Sequence, residues 1–539
     1  MLDVAIIGAG VSGLALAKRL RQRGLNFELF EARDRIGGRI FTVPTRGARL
    51  DLGAGWYWPE TQPLVAALVG ELGLPNYAQY DEGGVLHLRE ADKKAERIDD
   101  KRLYDGARRL HGGMTALVDA IASSLPTETI KLNHRLTHVS DRGDHVAMTF
   151  AVGEGSLEVS ARQAVLSLPP RLLRETVEFA PRLDEATDRA MLGAETWMAA
   201  QAKVAIEVAA PFWRERGLSG SAYATHEQAI LGEIFDACDM SKQVFALGGF
   251  LALDAGQRET FSVGLPLLIA SQLGSIFGAD VDCLATHYVD WAQEPLTCSA
   301  ADRAGEASDQ TGDVANPLLR RALWDKKLYF GGSETAVRNS GYVEGALDAA
   351  RRVARSIAAL AEKQGLMAGA AESDDIAHLG LNEASLIRFR GWVDGRSDAI
   401  FDDYRRRLTK GLASRERDSL TQIALLGAIE DTFQQALEVL DSLPFDLATT
   451  KVELGRVELV PQIQQPFGDL MQTIMDDVVA YNQTSCALSN FPSEHRLSGE
   501  YKSAILKDIA GAWREFSLTA NRRLLERKNS ACVGAPAND

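Results

Sequence analysis

The sequence predicts an α/β domain with a parallel sheet in its N-terminal part and an all-α domain in its C-terminal part. Two observations predict the α/β domain. Residues 2–31 follow a strand, glycine turn, helix and strand pattern, and residues 328–350 repeat a strand, a glycine turn and a helix. Apolar residues recur at helical spacing beyond residue 381, which predicts the all-α domain. Because 539 residues are too many for one core, two or three structural units are expected.

The composition is that of an ordinary globular protein, with 46% hydrophobic and 25% charged residues. The net charge of -15 disfavours nucleic acid as a partner. The five cysteines are scattered and never spaced as C-x-x-C, which argues against a disulfide framework and a zinc site. No apolar run of about 18 residues and no signal segment is present. The sequence therefore predicts a cytoplasmic protein with no metal and no membrane partner.

The first 31 residues have the order of elements that a dinucleotide-binding unit requires. Residues 2–7 are mostly apolar, as expected for a buried parallel strand. They lead into a glycine turn at 8–13 and a helical pattern over 14–23. A second strand over 26–30 ends at Glu31. This order predicts a Rossmann-like domain that holds the pyrophosphate of its cofactor at the helix N-terminus.

The glycines and the acid of this unit have separate mechanical purposes. Gly8 allows the tight turn, Gly10 lets a pyrophosphate approach the backbone, and Gly13 lets helix and strand pack closely. Glu31 is placed to accept hydrogen bonds from the ribose hydroxyls of adenosine. Its charge disfavours the 2′-phosphate of NADP.

Two further segments favour FAD over NAD. Residues 32–40 add a second glycine turn flanked by arginines, in which Arg39 can neutralise a pyrophosphate, and residues 50–56 add a turn of small residues. Together these segments resemble the flavin amine oxidase family, and the string E-A-R-x-R-x-G-G-R at 31–39 resembles a signature of the wider flavoprotein superfamily to which that family belongs. That family includes monoamine oxidases, polyamine oxidases, L-amino-acid oxidases and histone demethylases.

A distant segment carries the same resemblance. Residues 328–335 resemble the family's closing motif, in which a Glu-Thr pair, here beginning at Glu334, reaches the ribityl–phosphate portion of the flavin. The helix that follows within 341–350 would direct its N-terminus at the flavin ring. A free N–H at Val343 would there stabilise the negative charge of the reduced flavin. The resemblance covers about residues 1–362.

The resemblance implies a discontinuous domain organisation. Residues 1–366 would form a flavin amine oxidase module, followed by a linker at 367–380 and a helical C-terminal domain at 381–539. Within the module, the Rossmann-like FAD-binding parts would be about 1–75, 108–168 and 317–366, and the parts of an α+β substrate domain would be about 76–107 and 169–316.

The resemblance also implies which residues bind FAD: Gly8, Gly10, Val11, Ser12, Gly13, Glu31, Ala32, Arg33, Gly38, Arg39, Gly53, Ala54, Gly55, Trp56, Leu136, Glu334, Gly341, Tyr342 and Val343. In monoamine oxidases a cysteine bonded to the flavin, then a tyrosine, follow the tryptophan that corresponds to Trp291. Those two places hold Ala300 and Ala301, and Cys298 is out of register. The FAD is therefore expected to be non-covalent.

Three residues are predicted to take part in catalysis. In many members of the family a lysine holds a water at flavin N5, and Lys242 precedes a strand as that lysine does. Lys203 is assigned instead to a structural strand. Tyr342 is expected to form one wall of an aromatic cage whose second ring is missing at Ala301, and Trp291 is expected to line the pocket.

These features predict an FAD-dependent enzyme that oxidises an amine C–N bond to an imine by hydride transfer to flavin N5, with O2 reoxidising the flavin and yielding H2O2. Its expected partners are a small-molecule amine and O2. One alternative is a desaturase or protoporphyrinogen-oxidase-like flavoenzyme. Another is a flavoprotein that acts mainly by binding a protein partner.

The C-terminal third predicts a helical bundle, with helices over 382–412, 414–443, 467–481 and 499–527 and an extended segment near 450–460. Its role stays open between a packing or homo-oligomerisation module and a cap or docking unit for a partner.

Overall fold

The computed structural model of the protein describes residues 1–533 except 100, 240–243, 279–280, 282, 306–314, 364–380, 413–418, 448–449 and 454. The chain divides into two units, Met1–Met367 and Ala368–Asp539. The predicted linker at 367–380 lies outside the described residues. None of the described helices combines the length and apolarity that crossing a bilayer requires.

The first unit is built from strands and short helices. Its strands are β1 (Leu2–Ile7), β2 (Phe27–Phe30), β3 (Thr42–Pro44), β4 (Arg49–Asp51), β5 (Asn76–Ala78), β6 (Gly84–Leu88), β7 (Glu96–Ile98), β8 (Arg108–Leu110), β9 (Ile130–Lys131), β10 (Arg135–Asp141), β11 (Val146–Val152), β12 (Gly155–Leu166), β13 (Glu178–Ala180), β14 (Ala202–Val208), β15 (Leu218–Ala224), β16 (Leu231–Asp236), β17 (Phe245–Leu251), β18 (Cys283–Asp290) and β19 (Leu328–Phe330). Its helices are α1 (Val11–Gln22), α2 (Pro63–Glu71), α3 (Thr115–Ser123), α4 (Pro170–Thr176), α5 (Glu185–Gly193), α6 (Phe212–Glu215), α7 (Ala255–Thr260), α8 (Leu265–Phe277), α9 (Ala300–Arg303) and α10 (Val343–Lys363).

The first sheet places the predicted dinucleotide unit at its centre. Its strand order is β13-β10-β11-β12-β1-β2-β9, and β19 pairs with β12. Strands β1, β2, β9, β12 and β19 pair with one another in parallel, and one face of this part of the sheet packs against α1, α3 and α10. Leu14 and Leu16 of α1 are fully buried in one core with Val353 of α10. Each such side chain contributes about 1.5–3 kcal/mol of burial free energy.

The second sheet has two faces with different surroundings. Its order is β18-β14-β17-β16-β15-β6-β7, antiparallel except between β15 and β6. Val204 and Ile206 of β14 pack in the core that includes α8. Successive side chains of a strand point to opposite faces, so Lys203 and Ala205 lie on the other face. That other face packs against Leu50, Leu52 and Tyr104.

The second unit is helical apart from one small hairpin. Its helices are α11 (Leu381–Asp394), α12 (Ser397–Leu412), α13 (Leu420–Ser442), α14 (Val460–Thr484), α15 (Pro492–His495) and α16 (Gly499–Val533), and its hairpin is β20 (Val452–Glu453) with β21 (Arg456–Val457). The prediction of one helix over 382–412 is wrong in one respect, because the helix is interrupted at Gly395 and Arg396. Glycine in a helix interior costs about 1 kcal/mol relative to alanine, which favours a break there.

Candidate flavin and amine site

A cavity of about 800 Å³ is lined by residues of both sheets of the first unit. The residues predicted to bind FAD line this cavity, with Gly13 as the exception. Two segments more than 300 residues apart in sequence, the opening glycine turn and the closing motif, thus meet at one site. Trp291 and Tyr342, predicted from the sequence as catalytic, line it as well.

The end of the cavity at the first sheet has the geometry of a dinucleotide cradle. Gly8 adopts a φ of 101°, a backbone conformation that glycine adopts far more readily than residues with a side chain, and so it allows the turn between β1 and α1. The Ala9 N–H donates to Glu31 Oε2 at 2.8 Å, so the carboxylate at the end of β2 is tied to the turn at the start of α1. A Cβ on Gly13 would lie 2.0 Å from the Gly8 carbonyl oxygen. Gly13 therefore allows the close packing predicted for it without itself lining the cavity.

Unused polar groups at this end suit a polar ligand. The Ser167 Oγ is buried, lines the cavity and has no hydrogen-bond partner among the described residues. Helix α1 begins at Val11, whose N–H belongs to the unsatisfied first turn of the helix. Together with the open backbone at Gly10, where a Cβ would meet nothing within 4 Å, these groups fit a pyrophosphate.

Arg39 joins the two distant motifs. Its Nη2 lies 2.6 Å from Glu334 Oε1 and 2.9 Å from Ser333 Oγ, and its Nη1 donates to the Trp197 carbonyl oxygen at 3.1 Å. Glu334 is almost completely buried. Arg39 was expected to neutralise the pyrophosphate, and its ion pair with Glu334 means that part of its charge is already balanced within the protein.

Arg33 is held in a similar way. Its Nη2 lies 3.1 Å from Glu294 Oε2 and donates to Thr297 Oγ1 at 2.8 Å. Leu136 lines the cavity from β10, where it is buried. These contacts connect the predicted adenine side of the site to the segment that follows Trp291.

Lys203 lies in the part of the cavity that the second sheet forms. Its Nζ donates to the Gly53 carbonyl oxygen at 2.8 Å. The same atom lies 4.7 Å from the ring centroid of Trp56 and 5.3 Å from the centroids of Phe235 and Phe250. Burial lowers the pKa of Lys203 to about 7, a change that the nearby Asp51 carboxylate opposes. An ammonium surrounded by aromatic rings is thus placed beside one of the predicted flavin-binding turns.

The side chain of Lys203 faces the cavity, which the assignment of this residue to a structural strand did not predict. Lys203 does lie in a strand, β14, but its side chain lines the cavity. Alternation along the strand, with Val204 and Ile206 in the opposite core, was the available signal. Lys242, which the sequence analysis favoured as the flavin lysine, lies outside the described residues.

The aromatic wall differs from the sequence expectation by one residue. The ring of Tyr342 lies 5.0 Å from the ring of Trp197 at an interplanar angle of 30°. Trp197 lines the cavity and was missed, because it belongs to none of the motifs. Gly341 makes room for it, since a Cβ there would lie 2.3 Å from the Trp197 Cβ. Tyr342 therefore has an aromatic neighbour, supplied from another part of the chain than Ala301.

The segment after Trp291 contributes little reactive chemistry. Trp291 is buried, and its Nε1 donates to the Leu52 carbonyl oxygen at 3.1 Å. Ala300 and Ala301 begin α9, and neither they nor Cys298 belong to the described residues that line the cavity. Burial raises the pKa of the Cys298 thiol to about 11, so it is a poor nucleophile.

A carboxylate also lines the cavity. Glu233 of β16 lines it, and its Oε1 accepts a hydrogen bond from the Tyr104 hydroxyl. Tyr104 in turn stacks on Trp56 at 5.1 Å between ring centroids. Sequence reasoning did not single out Glu233, because nothing in its local sequence distinguishes it from an ordinary strand carboxylate.

Comparison with known proteins places this site in a family. The family model described as "Flavin containing amine oxidoreductase" matches residues 11–106 and 87–358. Amine oxidase [flavin-containing] A of Equus caballus is 24% identical over 460 residues, which cover 66% of this chain and 85% of that protein. Putrescine oxidase of Kocuria rosea is 24% identical over 368 residues, covering 49% of this chain and 75% of that protein.

Solved structures share their fold with about two thirds of this chain. A putrescine oxidase with putrescine bound matches with a TM-score of 0.55 at 21% identity, covering 66% of this chain and 99% of that chain. Cyclohexylamine oxidase from Brevibacterium oxydans matches with a TM-score of 0.54 at 20% identity, covering 67% and 99%. At such identities the likeness establishes the fold, and the family model with its matched residues establishes membership. The chain belongs to the flavin-containing amine oxidoreductases and is an FAD-dependent enzyme of amine oxidation.

Proposed function

We propose that this enzyme oxidises a small-molecule amine to an imine at the cavity beside Lys203, with O2 as the electron acceptor and H2O2 as the second product. The observation that carries the proposal is the buried Lys203 ammonium, which lies among aromatic rings in the same cavity as the dinucleotide motif. When bound, FAD would supply the hydride acceptor for the carbon that bears the nitrogen and the means of transferring the electrons to O2.

The chain's own residues would hold FAD along the cavity. The turn at Gly8 and Gly10 and the first N–H groups of α1 would hold the pyrophosphate, while Glu31 would accept from the ribose. Glu334 and the N-terminus of α10 at Val343 would face the flavin end. Because Ala300 stands at the place of the bonded cysteine, FAD would be held without a covalent bond.

Lys203 would be the lysine that orients a water and supplies positive charge near the flavin ring. Its Nζ uses one donor on Gly53, which leaves donors for a water and for developing negative charge on oxygen. The proposal thus gives Lys203 the role that the sequence analysis assigned to Lys242. The assignment to Lys242 stays a prediction. Tyr342, Trp197 and Trp291 would form the apolar walls that orient the amine and exclude bulk water.

The amine reaction is favoured over desaturation by the charges of the cavity. A wide apolar channel without a flavin lysine would favour a desaturase, whereas this cavity holds both Lys203 and Glu233. The role of the C-terminal unit and the cytoplasmic location stay predictions from the sequence.

Anaerobic reduction of the bound flavin tests the proposed reaction. We expect purified enzyme to be yellow, to release its FAD on acid denaturation, and to lose its flavin absorbance when mixed without O2 with at least one class of amine. The panel contains primary, secondary and polyamines and amino acids, with the matching alcohols as controls. If no amine bleaches the flavin while dithionite does, the amine-oxidase proposal is wrong.

The pH dependence of reoxidation tests the charge on Lys203. Because burial lowers its pKa to about 7, Lys203 is protonated below that pH and neutral above it. If the ammonium assists O2, the rate constant for reoxidation falls as pH rises through about 7. Stopped-flow mixing of reduced enzyme with O2 over a pH series measures it. A rate constant that rises over the same range would contradict a cationic role.

A further inference from the structure

We propose that the cavity selects amines with a second cationic nitrogen, and that Glu233 binds that distal ammonium. The inference rests on the proposed function and deepens it by naming the substrate class as α,ω-diamines or longer polyamines. It is carried by the order of side chains across the second sheet, where a cation, an apolar ring and a carboxylate follow one another along the cavity.

Strand register fixes that order. Phe250 of β17 pairs with Lys203 of β14 on one side and with Glu233 of β16 on the other. Neighbouring strands are about 4.8 Å apart, so the Cα atoms of Lys203 and Glu233 are separated by roughly 10 Å. Ile234 and Val204 pack in the core on the opposite face, which directs Glu233 and Lys203 to the cavity side.

The middle of this row suits a hydrocarbon chain. Phe250 and Trp56 line the cavity, and their rings lie 6.3 Å apart. Aromatic faces bind methylene groups through apolar contact and attract a nearby ammonium through their quadrupole. An extended diamine would pack its carbon chain here while one nitrogen remains at the Lys203 end and the other reaches Glu233.

The carboxylate is prepared for a cation. The Tyr104 hydroxyl donates to Oε1 and so orients the group, and no described residue donates to Oε2. Burial next to Glu233 raises the pKa of Tyr104, so its hydroxyl remains a proton donor in the physiological range. A charge-assisted hydrogen bond from an ammonium to Oε2 is among the stronger contacts available to a small ligand.

The other charges in the cavity argue against an α-amino acid. The cations among the described lining residues are Arg33, Arg39, Arg135 and Lys203. Arg33 and Arg39 are paired with Glu294 and Glu334, and Arg135 belongs to the first sheet. The second sheet thus presents no described arginine to bind a substrate carboxylate, while Glu233 would repel one.

The test compares diamines with monoamines of equal length in the holoenzyme. The probes are 1,4-diaminobutane and 1,5-diaminopentane against butylamine and pentylamine. Anaerobic stopped-flow reduction at varied amine concentration separates the dissociation constant from the limiting rate of reduction. We expect the wild type to bind a diamine at least roughly 10-fold more tightly than the matched monoamine.

The variant Glu233→Gln removes the charge and keeps an oxygen for the Tyr104 hydroxyl. We expect diamine binding to weaken roughly 10- to 100-fold, a loss much larger than any change in monoamine binding, because only the diamine has a second ammonium to pair with this carboxylate. Glu207→Gln is the matched control, since this carboxylate lies on the strand of Lys203 and pairs with His287 outside the cavity lining. The Glu207→Gln variant is expected to have the dissociation constants and limiting reduction rates of the wild type with both diamines and monoamines.

Two results would overturn the inference while leaving amine oxidation intact. One is a wild type that reduces with monoamines but binds diamines no better. The other is an equal loss for both classes in Glu233→Gln, which would indicate a structural role. If no amine reduces the flavin at all, it is the proposed function that fails, and the inference falls with it.

Discussion

Replacing Lys203 by methionine is expected to slow reoxidation of the reduced flavin by O2 roughly 100- to 1000-fold. The loss follows from removing a preorganised positive charge from a buried site, where charge stabilisation is far stronger than in water. Methionine has a similar length and can pack among Trp56, Phe235 and Phe250, so folding and FAD content should be retained. Stopped-flow mixing of the reduced variant with O2 measures the rate constant, and the FAD absorbance confirms that the site is loaded.

Two further variants make this result specific. Lys131→Met changes a partly exposed lysine of β9 and is expected to behave as the wild type. Lys242→Met should also leave reoxidation unchanged if Lys203 has the proposed role. If the Lys242 variant is slow and the Lys203 variant is fast, the sequence-based assignment is right and the proposal for Lys203 is wrong.

The contrast between the two lysines illustrates what sequence can predict about this site. Lys203 precedes a run of apolar residues, and a lysine in a strand is most often a structural or solvated residue. Alternation of Val204 and Ile206 indicates that Lys203 faces away from one core. It does not indicate what lies on the other side, because that depends on where β4 and the turn at Gly53 pack in three dimensions.

Residues within motifs and residues outside them differ in how far the sequence reveals their place in the fold. The residues assigned to the cofactor by motif, from Gly8 to Val343 and with Gly13 excepted, line one cavity, and their binding of FAD stays a prediction. Trp197 and Glu233 reach the same cavity only through tertiary packing and strand register. The local sequence around Trp197 and Glu233 does not indicate that either lines the cavity. For Glu233, the alternation of side chains along β16 indicates only which face of the sheet it lies on.

In the C-terminal unit, too, features that depend on local sequence were predicted and one that depends on tertiary packing was missed. Its helices were predicted because apolar residues at helical spacing require only local information. The break between α11 and α12 was missed although Gly395 was visible, since an isolated glycine in a helical pattern is often tolerated. Both helices pack in the same core, through Phe389 and Val393 of α11 and through Phe401 and Tyr404 of α12.

Substituting Gly13 by alanine is expected to abolish FAD binding by disrupting the fold around α1. The new Cβ would lie 2.0 Å from the Gly8 carbonyl oxygen and 3.2 Å from a methyl carbon of Leu29. Backbone atoms at the centre of a parallel sheet have little freedom to move, so α1 must shift away from β1. We expect a loss of about 3 kcal/mol or more in the free energy of unfolding and purification of colourless protein. Thermal unfolding and the FAD-to-protein absorbance ratio measure the two effects.

Gly10→Ala is the matched control in the same turn, and it separates packing from cofactor contact. Gly10 has a φ of -73°, which alanine adopts without strain, and its Cβ would meet no protein atom within 4 Å. The flavin-free variant should therefore unfold at the same temperature as flavin-free wild type, while FAD binding weakens because the methyl group would occupy the space where the pyrophosphate approaches α1.

Equal stability losses for both variants would show that Gly13 is not specially constrained. Undiminished FAD affinity in Gly10→Ala would mean that the pyrophosphate lies elsewhere along the cavity. Because the two glycines are three residues apart in one motif, a loss of FAD binding with a loss of stability at Gly13, and without one at Gly10, would indicate that Gly13 supports the packing of the helix and Gly10 admits the cofactor.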